Sequence, residues 1–271
     1  MRSVAFALLV SFAVPSAYGQ TTAYTRSPKD TLRFREVSTG TMTLETPNGP
    51  VSLQTEHDGT IALTFVAGDT ARAWYEALAV GVVSPMGAVR PLTTEALRQP
   101  FTLTMDERGH VRILRTPQFP ESFKGVTDLT RQFNDYFLSL PTQPLRPGLA
   151  WTDTVVHADT ASATAWFLGR RMAQYRVERD TVVDGQRALV ISARQQQSIE
   201  GRGAGPQPGV TARSVLAGGD EGVFVFAPAT GRLLGRTRTG KLDGTLTFEG
   251  GPAPVAMSQH LEYRNTLTAV R

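Results

Sequence analysis

The chain has no cysteine among its 271 residues, so no disulfide can form and its stability must come from burial of a core. Lysine is also scarce, since only Lys29, Lys124 and Lys241 contribute to the 28 basic residues. The other basic residues are arginines, scattered along the chain without interleaved aromatic residues. A nucleic-acid-binding module needs a basic stripe or a recognisable motif. The sequence therefore predicts that nucleic acid is not a partner.

Signatures of catalysis and of metal binding are missing as well. No G-x-S-x-G elbow of a serine hydrolase occurs. The acidic pair Asp220 and Glu221, in the segment GGDEG, lacks the alternating oxygen ligands of a calcium loop and is interpreted as a solvated turn. The histidines are far apart, and none has the i, i+4 spacing of a zinc helix: His57, His110, His157 and His260. The sequence therefore predicts neither an enzyme, nor a metal site, nor a cofactor.

The N-terminal segment MRSVAFALLVSFAVPSAYGQ has the pattern of a signal peptide. Arg2 is its only charge, residues 4–14 form an apolar run, and small residues occupy positions 17 and 19 after a proline break. The run is shorter than the ~20 residues that cross a bilayer. Residues 1–19 are therefore predicted to be removed, leaving Gln20 first. We expect a periplasmic or secreted bacterial envelope protein with no transmembrane segment in its mature chain, and no cysteine follows to carry a lipid anchor.

Apolar and polar residues alternate along most of the mature chain, which is typical of strands with one buried face. The clearest case is 255–270, where the apolar side chains share one parity: Val255, Met257, Leu261, Tyr263, Leu267 and Ala269. Tight hairpin turns are predicted at the dipeptides Asn48-Gly49, Asp58-Gly59, Asp184-Gly185 and Asp243-Gly244. The expected fold is mainly β, a long antiparallel meander that forms a curved sheet or half-barrel.

One segment departs from this alternation. Between 123 and 140, large apolar residues recur every three or four positions: Phe123, Val126, Leu129, Phe133, Tyr136, Phe137 and Leu140. This spacing predicts an amphipathic helix packed on the sheet and ended by Pro141. The proline-rich segment PTQPLRPG follows. Residues 20–271 are therefore predicted to form a single β-rich domain, whose two halves are joined by a helix and a Pro-rich connection near 121–148.

Residues 71–83 are apolar on both parities. Trp74, Leu78, Val80 and Val82 share one parity, which predicts a strand covered on both sides. One interpretation is a two-layer core. The other is a partly open apolar groove between the helix and the sheet, where β-rich proteins hold hydrophobic ligands. Its predicted ligand-binding residues are Trp74, Phe133, Phe137, Trp166 and Phe224.

These two interpretations lead to two functions. The groove predicts a non-enzymatic exported protein that binds a lipid or another hydrophobic small molecule. The alternative is a structural or protein-interaction scaffold, with a partner protein in the envelope and no small-molecule ligand. A filled core favours the scaffold, whereas an accessible apolar site favours the ligand.

Three further segments carry a resemblance: LRPGLAWTD at 145–153, VVDGQRALVI at 182–191 and FVFAPATGRLLG at 224–235. With the signal peptide and the long strands, they resemble secreted bacterial proteins of unknown function. The curved antiparallel sheet of those proteins is similar to that of periplasmic lipoprotein-localisation carriers. The resemblance implies a curved sheet whose concave side takes up acyl chains, and it implies no catalytic residue.

Overall fold

The structure is a computed structural model. It describes residues 22–28, 30–85, 87–89, 99–118, 129, 133–159, 165–205 and 207–270. The predicted signal peptide lies outside these residues. Within them the regular secondary structure consists of 12 strands. The strands are β1 (Thr31–Thr46), β2 (Gly49–Ala67), β3 (Thr70–Ser84), β4 (Gly87–Val89), β5 (Phe101–Met105), β6 (Val111–Arg115), β7 (Ala150–Asp159), β8 (Trp166–Val183), β9 (Gln186–Ala204), β10 (Thr211–Ala227), β11 (Arg232–Glu249) and β12 (Val255–Val270).

All of these strands belong to one antiparallel sheet, which confirms the mainly β antiparallel meander. The strand order is β6-β5-β3-β2-β1-β12-β11-β10-β9-β8-β7, and β4 pairs with β3 beside this path. The first and last long strands pair in the middle of the sheet, from Arg33 with Val270 to Glu45 with Ser258. The two halves of the sequence are therefore continuous in one sheet.

The sheet curls until its two ends meet. Nε2 of His110, in the turn between β5 and β6, lies 3.2 Å from Oδ2 of Asp153 on β7 at the opposite end of the strand order. The core segment, residues 133–145, lies within this curl. Its Phe133 packs edge-on against Phe101 with a centroid distance of 4.8 Å, and the indole Nε1 of Trp151 donates to the Ser139 carbonyl oxygen at 2.8 Å. The core is therefore filled by a segment that the sheet surrounds.

The predicted amphipathic helix is wrong for the part of 123–140 that the structure describes. Residues 119–128 and 130–132 lie outside the description, and 133–140 is a turn followed by irregular chain. The five consecutive residues 136–140 are all buried, whereas a helix on a sheet face would expose its polar side. Their backbone bonds to other elements, since the Leu140 amide donates to the Arg108 carbonyl oxygen at 2.8 Å.

Two of the four predicted hairpin turns are confirmed. Asn48 lies in the turn between β1 and β2, and Asp184-Gly185 connects β8 to β9 with φ of 50° and 75°. Asp58-Gly59 and Asp243-Gly244 instead lie inside β2 and β11. At Gly244 a Cβ would lie 1.8 Å from the Val215 carbonyl oxygen, so this glycine allows a close approach of neighbouring strands.

A β-bulge corrects the predicted parity of β3. Thr60 pairs with Ala77, but Ile61 pairs with Tyr75, so Glu76 is an extra residue. An extra residue reverses the alternation of side chains beyond it. Leu78 is therefore buried on the same face as Tyr75, and not on the face of Trp74 as the simple alternation indicated.

Candidate functional site

The face of the sheet that carries the core, here called the inner face, changes character along the strands. On β1 it passes from Phe34 in the core to the buried Glu36, then Gly40, and finally Met42. On β11 Arg236 lies level with Glu36 across β12, and Arg238, Gly240 and Leu242 follow it on the same face. The inner face thus has three zones: an apolar core, a charged band and a second apolar zone.

The charged band is centred on an ion pair between β10 and β11. Oδ2 of Asp220 lies 2.5 Å from an Arg238 Nη, and the two side chains are 0% and 8% exposed. The same oxygen accepts hydrogen bonds from the Tyr263 hydroxyl and from Gln197 Nε2, both at 2.7 Å. Arg238 also donates to Gln195 Oε1 at 3.1 Å. Burial lowers the pKa of Arg238, but Asp220, Tyr263 and Asp135 together outweigh this and hold that pKa above its ordinary value.

Glycines create the space for this network. Gly240 pairs with Asp220 on one side and with Tyr263 on the other. A Cβ at Gly240 would lie 2.6 Å from Cζ of Tyr263 and 2.7 Å from Cβ of Asp220. The phenol therefore crosses the glycine to reach the carboxylate.

A second group ties the charged band to the core segment. Arg236 donates through Nη1 to the carbonyl oxygens of Asp135 and Tyr136 at 2.6 and 2.9 Å. Its Nη2 donates to Asn265 Oδ1 at 2.6 Å, and lies 3.8 Å from Oε1 of Glu36. Through these contacts a buried arginine caps the carbonyls of a segment that has no regular structure.

Two histidines and a further ion pair complete the band. Burial lowers the pKa of His57, whose Nε2 lies 3.9 Å from Glu36. Oδ1 of Asp135 lies 2.7 Å from Arg171 and 3.6 Å from His157. Burial alone would raise the pKa of Asp135, but Arg171, His157 and Arg238 together outweigh it and hold that pKa well below the usual range. The three arginines of the band thus face three carboxylates, so these ion pairs leave no net excess of either charge.

Beyond the charged band lies the apolar patch, the part of the inner face formed by the far ends of β1, β2, β11 and β12. Its eight side chains are all half-buried: Met42, Leu44, Val51, Leu53, Leu246, Phe248, Met257 and Leu261. They are neighbours in the register, since Met42 pairs with both Leu53 and Leu261. The extensive contacts among the described strands all join sheet neighbours, so no second sheet covers the patch within the described residues.

One polar side chain lies within this zone and is internally satisfied. Gln259 pairs with Leu44 and is 2% exposed. Its amide Nε2 donates to Ser214 Oγ at 2.6 Å and to the Thr245 carbonyl oxygen at 3.3 Å. Because this amide needs no external partner, the zone remains apolar toward a ligand.

The structure does not bring the five predicted ligand-binding residues together. Phe133, Phe137 and Phe224 are buried in the filled core, with exposed fractions of 0–3%. Trp74 lies on the outer face, beside Arg72 and Glu76. Trp166 begins β8 with the parity of the exposed residues of that strand. A single groove lined by all five is therefore not present.

Sequence reasoning missed both the charged band and the apolar patch. The segment GGDEG is not a turn but part of β10, and Asp220 is buried. The alternation along β11 could have revealed the charged band, because Arg236 and Arg238 share the parity of Leu242. Extending that parity back along the strand would have placed two arginines on the apolar face.

Comparisons with known proteins give little to add. No family model matches the chain, and no curated protein matches it. The chain is similar to the crystal structure of Pseudomonas aeruginosa OccK11 (OpdR), with 9% identity, 93% of this chain and 98% of that chain covered, and a TM-score of 0.21. It is also similar to the crystal structure of Pseudomonas aeruginosa OpdQ, with 8% identity, 91% of this chain and 100% of that chain covered, and a TM-score of 0.21. At this TM-score the two likenesses establish neither a shared fold nor a shared function.

No helix within the described residues has both the length and the apolar character that a bilayer crossing requires.

Proposed function

We propose that the protein is a non-enzymatic protein of the bacterial envelope that binds the acyl chain of a lipid or another amphiphile on the apolar patch. The observation that carries this proposal is a continuous set of half-buried apolar side chains on the inner face, directly beside polar groups. Apolar side chains that no described element covers favour an apolar ligand. The proposed site is therefore at the far ends of β1, β2, β11 and β12, and not among the core aromatics that the sequence indicated.

The amphiphilic arrangement of the inner face supports the same ligand class. Leu261 on the patch is two residues from Tyr263, whose hydroxyl contacts Asp220 in the charged band. An acyl chain on the patch would thus place a polar headgroup near Tyr263 and Gln197. The resemblance to lipoprotein-localisation carriers is consistent with this proposal, although it rests on segments outside the patch.

The test is binding of fluorescent fatty acids of increasing chain length to the purified mature protein. Each buried CH₂ contributes about 0.8 kcal/mol, so two added methylenes should tighten binding by about tenfold until the patch is filled. Leu246→Asn should weaken binding, because it introduces an amide into the patch. Thr245→Asn is the matched control, since Thr245 is exposed on the opposite face of the same strand.

The result can also reject the proposal. Affinities that do not depend on chain length, or equal effects of the two variants, would show that acyl chains do not use the patch. The protein-interaction scaffold would then be the better function. Circular dichroism of both variants should match that of the wild type, so that a binding loss is not mistaken for unfolding.

A further inference from the structure

The outer face of the sheet carries a long groove that the acyl-chain proposal does not use. Its largest depression has a volume of ≈ 750 Å³ and crosses β8, β9, β10, β11, β12 and β1. A second depression of ≈ 740 Å³ shares Arg194 and Glu221 with it. A third of ≈ 560 Å³ shares Met172 and Gly219. Together they line β8 from Arg170 to Glu178, which corresponds to a length of about 26 Å at ~3.3 Å per residue.

The floor of this groove is backbone. A Cβ at Gly219, which has the outward parity of β10, would lie 2.9 Å from the Gln195 carbonyl oxygen. Side chains are therefore excluded where β10 passes its neighbours. The groove is built into the path of the strands and is not a gap between mobile side chains.

The walls of the groove carry excess positive charge. Lys241 pairs with Glu262 at 2.5 Å, and Arg194 pairs with Glu221 at 3.3 Å. Three exposed arginines in the lining have no carboxylate partner within the described part of the chain: Arg170, Arg176 and Arg264. Glu178, the one further carboxylate on the walls, accepts a hydrogen bond from Ser192 at 2.5 Å. The groove thus presents five cations and three anions on its walls.

The uncharged polar side chains on the walls favour a hydroxyl-rich ligand. Thr39, Gln174, Gln196 and Thr239 provide hydroxyl and amide groups, which donate and accept hydrogen bonds. Two tyrosines border the depressions, but the Tyr175 ring is buried against Phe224 and the Tyr263 ring crosses the inner face, so no aromatic ring lies on these walls within the described residues. Single-stranded nucleic acid is bound through such rings, and protein interfaces are enriched in them.

We propose that this outer groove binds an extended anionic polysaccharide, with the unpaired arginines on its acidic groups and the amides and hydroxyls on its sugar hydroxyls. The proposal rests on the charge and length of the groove and is independent of the apolar patch. It assigns the two faces of one sheet to two ligands of opposite character.

The test measures binding of the mature protein to alginate, a carboxylated polysaccharide, with neutral dextran as the uncharged comparison. We expect binding to alginate that weakens with salt, and no binding to dextran. Neutralising the three unpaired arginines together, Arg170→Gln, Arg176→Gln and Arg264→Gln, should lower the alginate affinity by about tenfold. Glu262→Gln should raise it, because the substitution frees Lys241.

A matched triple variant changes the net charge equally but outside the groove. It substitutes glutamine for three exposed arginines of β3 and β6: Arg72, Arg112 and Arg115. Equal losses in the two triple variants would overturn the site, because net charge alone would then explain binding. Stronger binding of polyglutamate or of a single-stranded oligonucleotide than of alginate would overturn the ligand class, and so would a failure to bind alginate at low salt.

Discussion

Replacing Arg238 with methionine is expected to destabilise the protein strongly. The variant keeps most of the apolar stem but leaves the Asp220 carboxylate, 0% exposed, without its cation. Removing one partner of a buried ion pair costs about 3–5 kcal/mol. Typical domains have a free energy of unfolding of ~5–15 kcal/mol, so this is a large share of the total. Tyr263 and Gln197 still donate to Asp220, but neutral donors do not balance its charge.

The double variant separates charge from packing. Asp220→Asn alone leaves Arg238 buried without a carboxylate, whereas Asp220→Asn with Arg238→Met removes both charges. We therefore expect the double variant to be more stable than the sum of the two single effects indicates, with a coupling of about 0.5–3 kcal/mol. Lys241→Met is the matched control on the same strand. Its ion pair with Glu262 has the same 2.5 Å distance but is exposed, so its effect should be far smaller.

Urea unfolding followed by circular dichroism gives the free energies of unfolding of the wild type and the four variants, with the m-value as a check that the unfolded states are comparable. If Arg238→Met changed the free energy of unfolding no more than Lys241→Met, burial of the band would not matter energetically. Strictly additive single effects would show that Asp220 and Arg238 act on separate partners. Either result would refute the reasoning from the ion pair.

Three further predictions concern other parts of the chain. Asp153 raises the pKa of His110, and His110 lowers the pKa of Asp153 to about 2, so their contact should stabilise most between about pH 4 and 6.5. The stability loss of His110→Gln should therefore be larger in urea unfolding at pH 5 than at pH 9, and a pH-independent loss would contradict it. Gly240→Ala should lower the melting temperature more than Gly203→Ala, because a Cβ at Gly203 meets nothing within 4 Å; equal shifts would count against the Tyr263 crossing. Intact-mass measurement of the exported protein should give a chain that begins at Gln20, and retention of residues 1–19 would contradict the predicted signal peptide.

Local alternation was enough to predict the antiparallel strands. In β12 the side chains of Leu267 and Gln259 are buried on the parity that the sequence indicated, while His260 on the other parity is exposed. The same period separates two neighbouring arginines of β8, since Arg171 is buried and Arg170 is exposed. These features depend only on the period of a strand, which the sequence contains directly.

The core segment could not be predicted in this way. Its apolar residues have helical spacing, but the sheet surrounds it, so consecutive side chains such as Leu138, Ser139 and Leu140 can all be buried. The surrounding sheet then determines the conformation of the segment, and the three-to-four-residue spacing of its apolar residues no longer predicts a helix. The bulge at Glu76 is similar, because one extra residue reverses the faces of all that follow and depends on the pairing with β2.

The charged band also depends on pairing rather than on local pattern. Asp220 follows two glycines, which is typical of a solvated turn, and only its register beside Gln195 and Gly240 places it on the inner face. Arg238 reaches it because Gly222 and Gly240 keep side chains away from the space between them. The sequence contains these residues, but not their neighbours across the sheet.

The charged band divides the inner face into two apolar regions that differ in their burial. The core aromatics lie on one side of it, held by Arg236 through the carbonyl oxygens of the core segment. The apolar patch lies on the other side, where the long strands extend beyond the core segment and their side chains become half-buried. A sheet that only had to cover its core could end at the band. The strands continue for several residues past it with apolar side chains on the same face, and this extension is the part of the fold that stability of the core does not explain. It is therefore the part for which a ligand is the most economical physical reason.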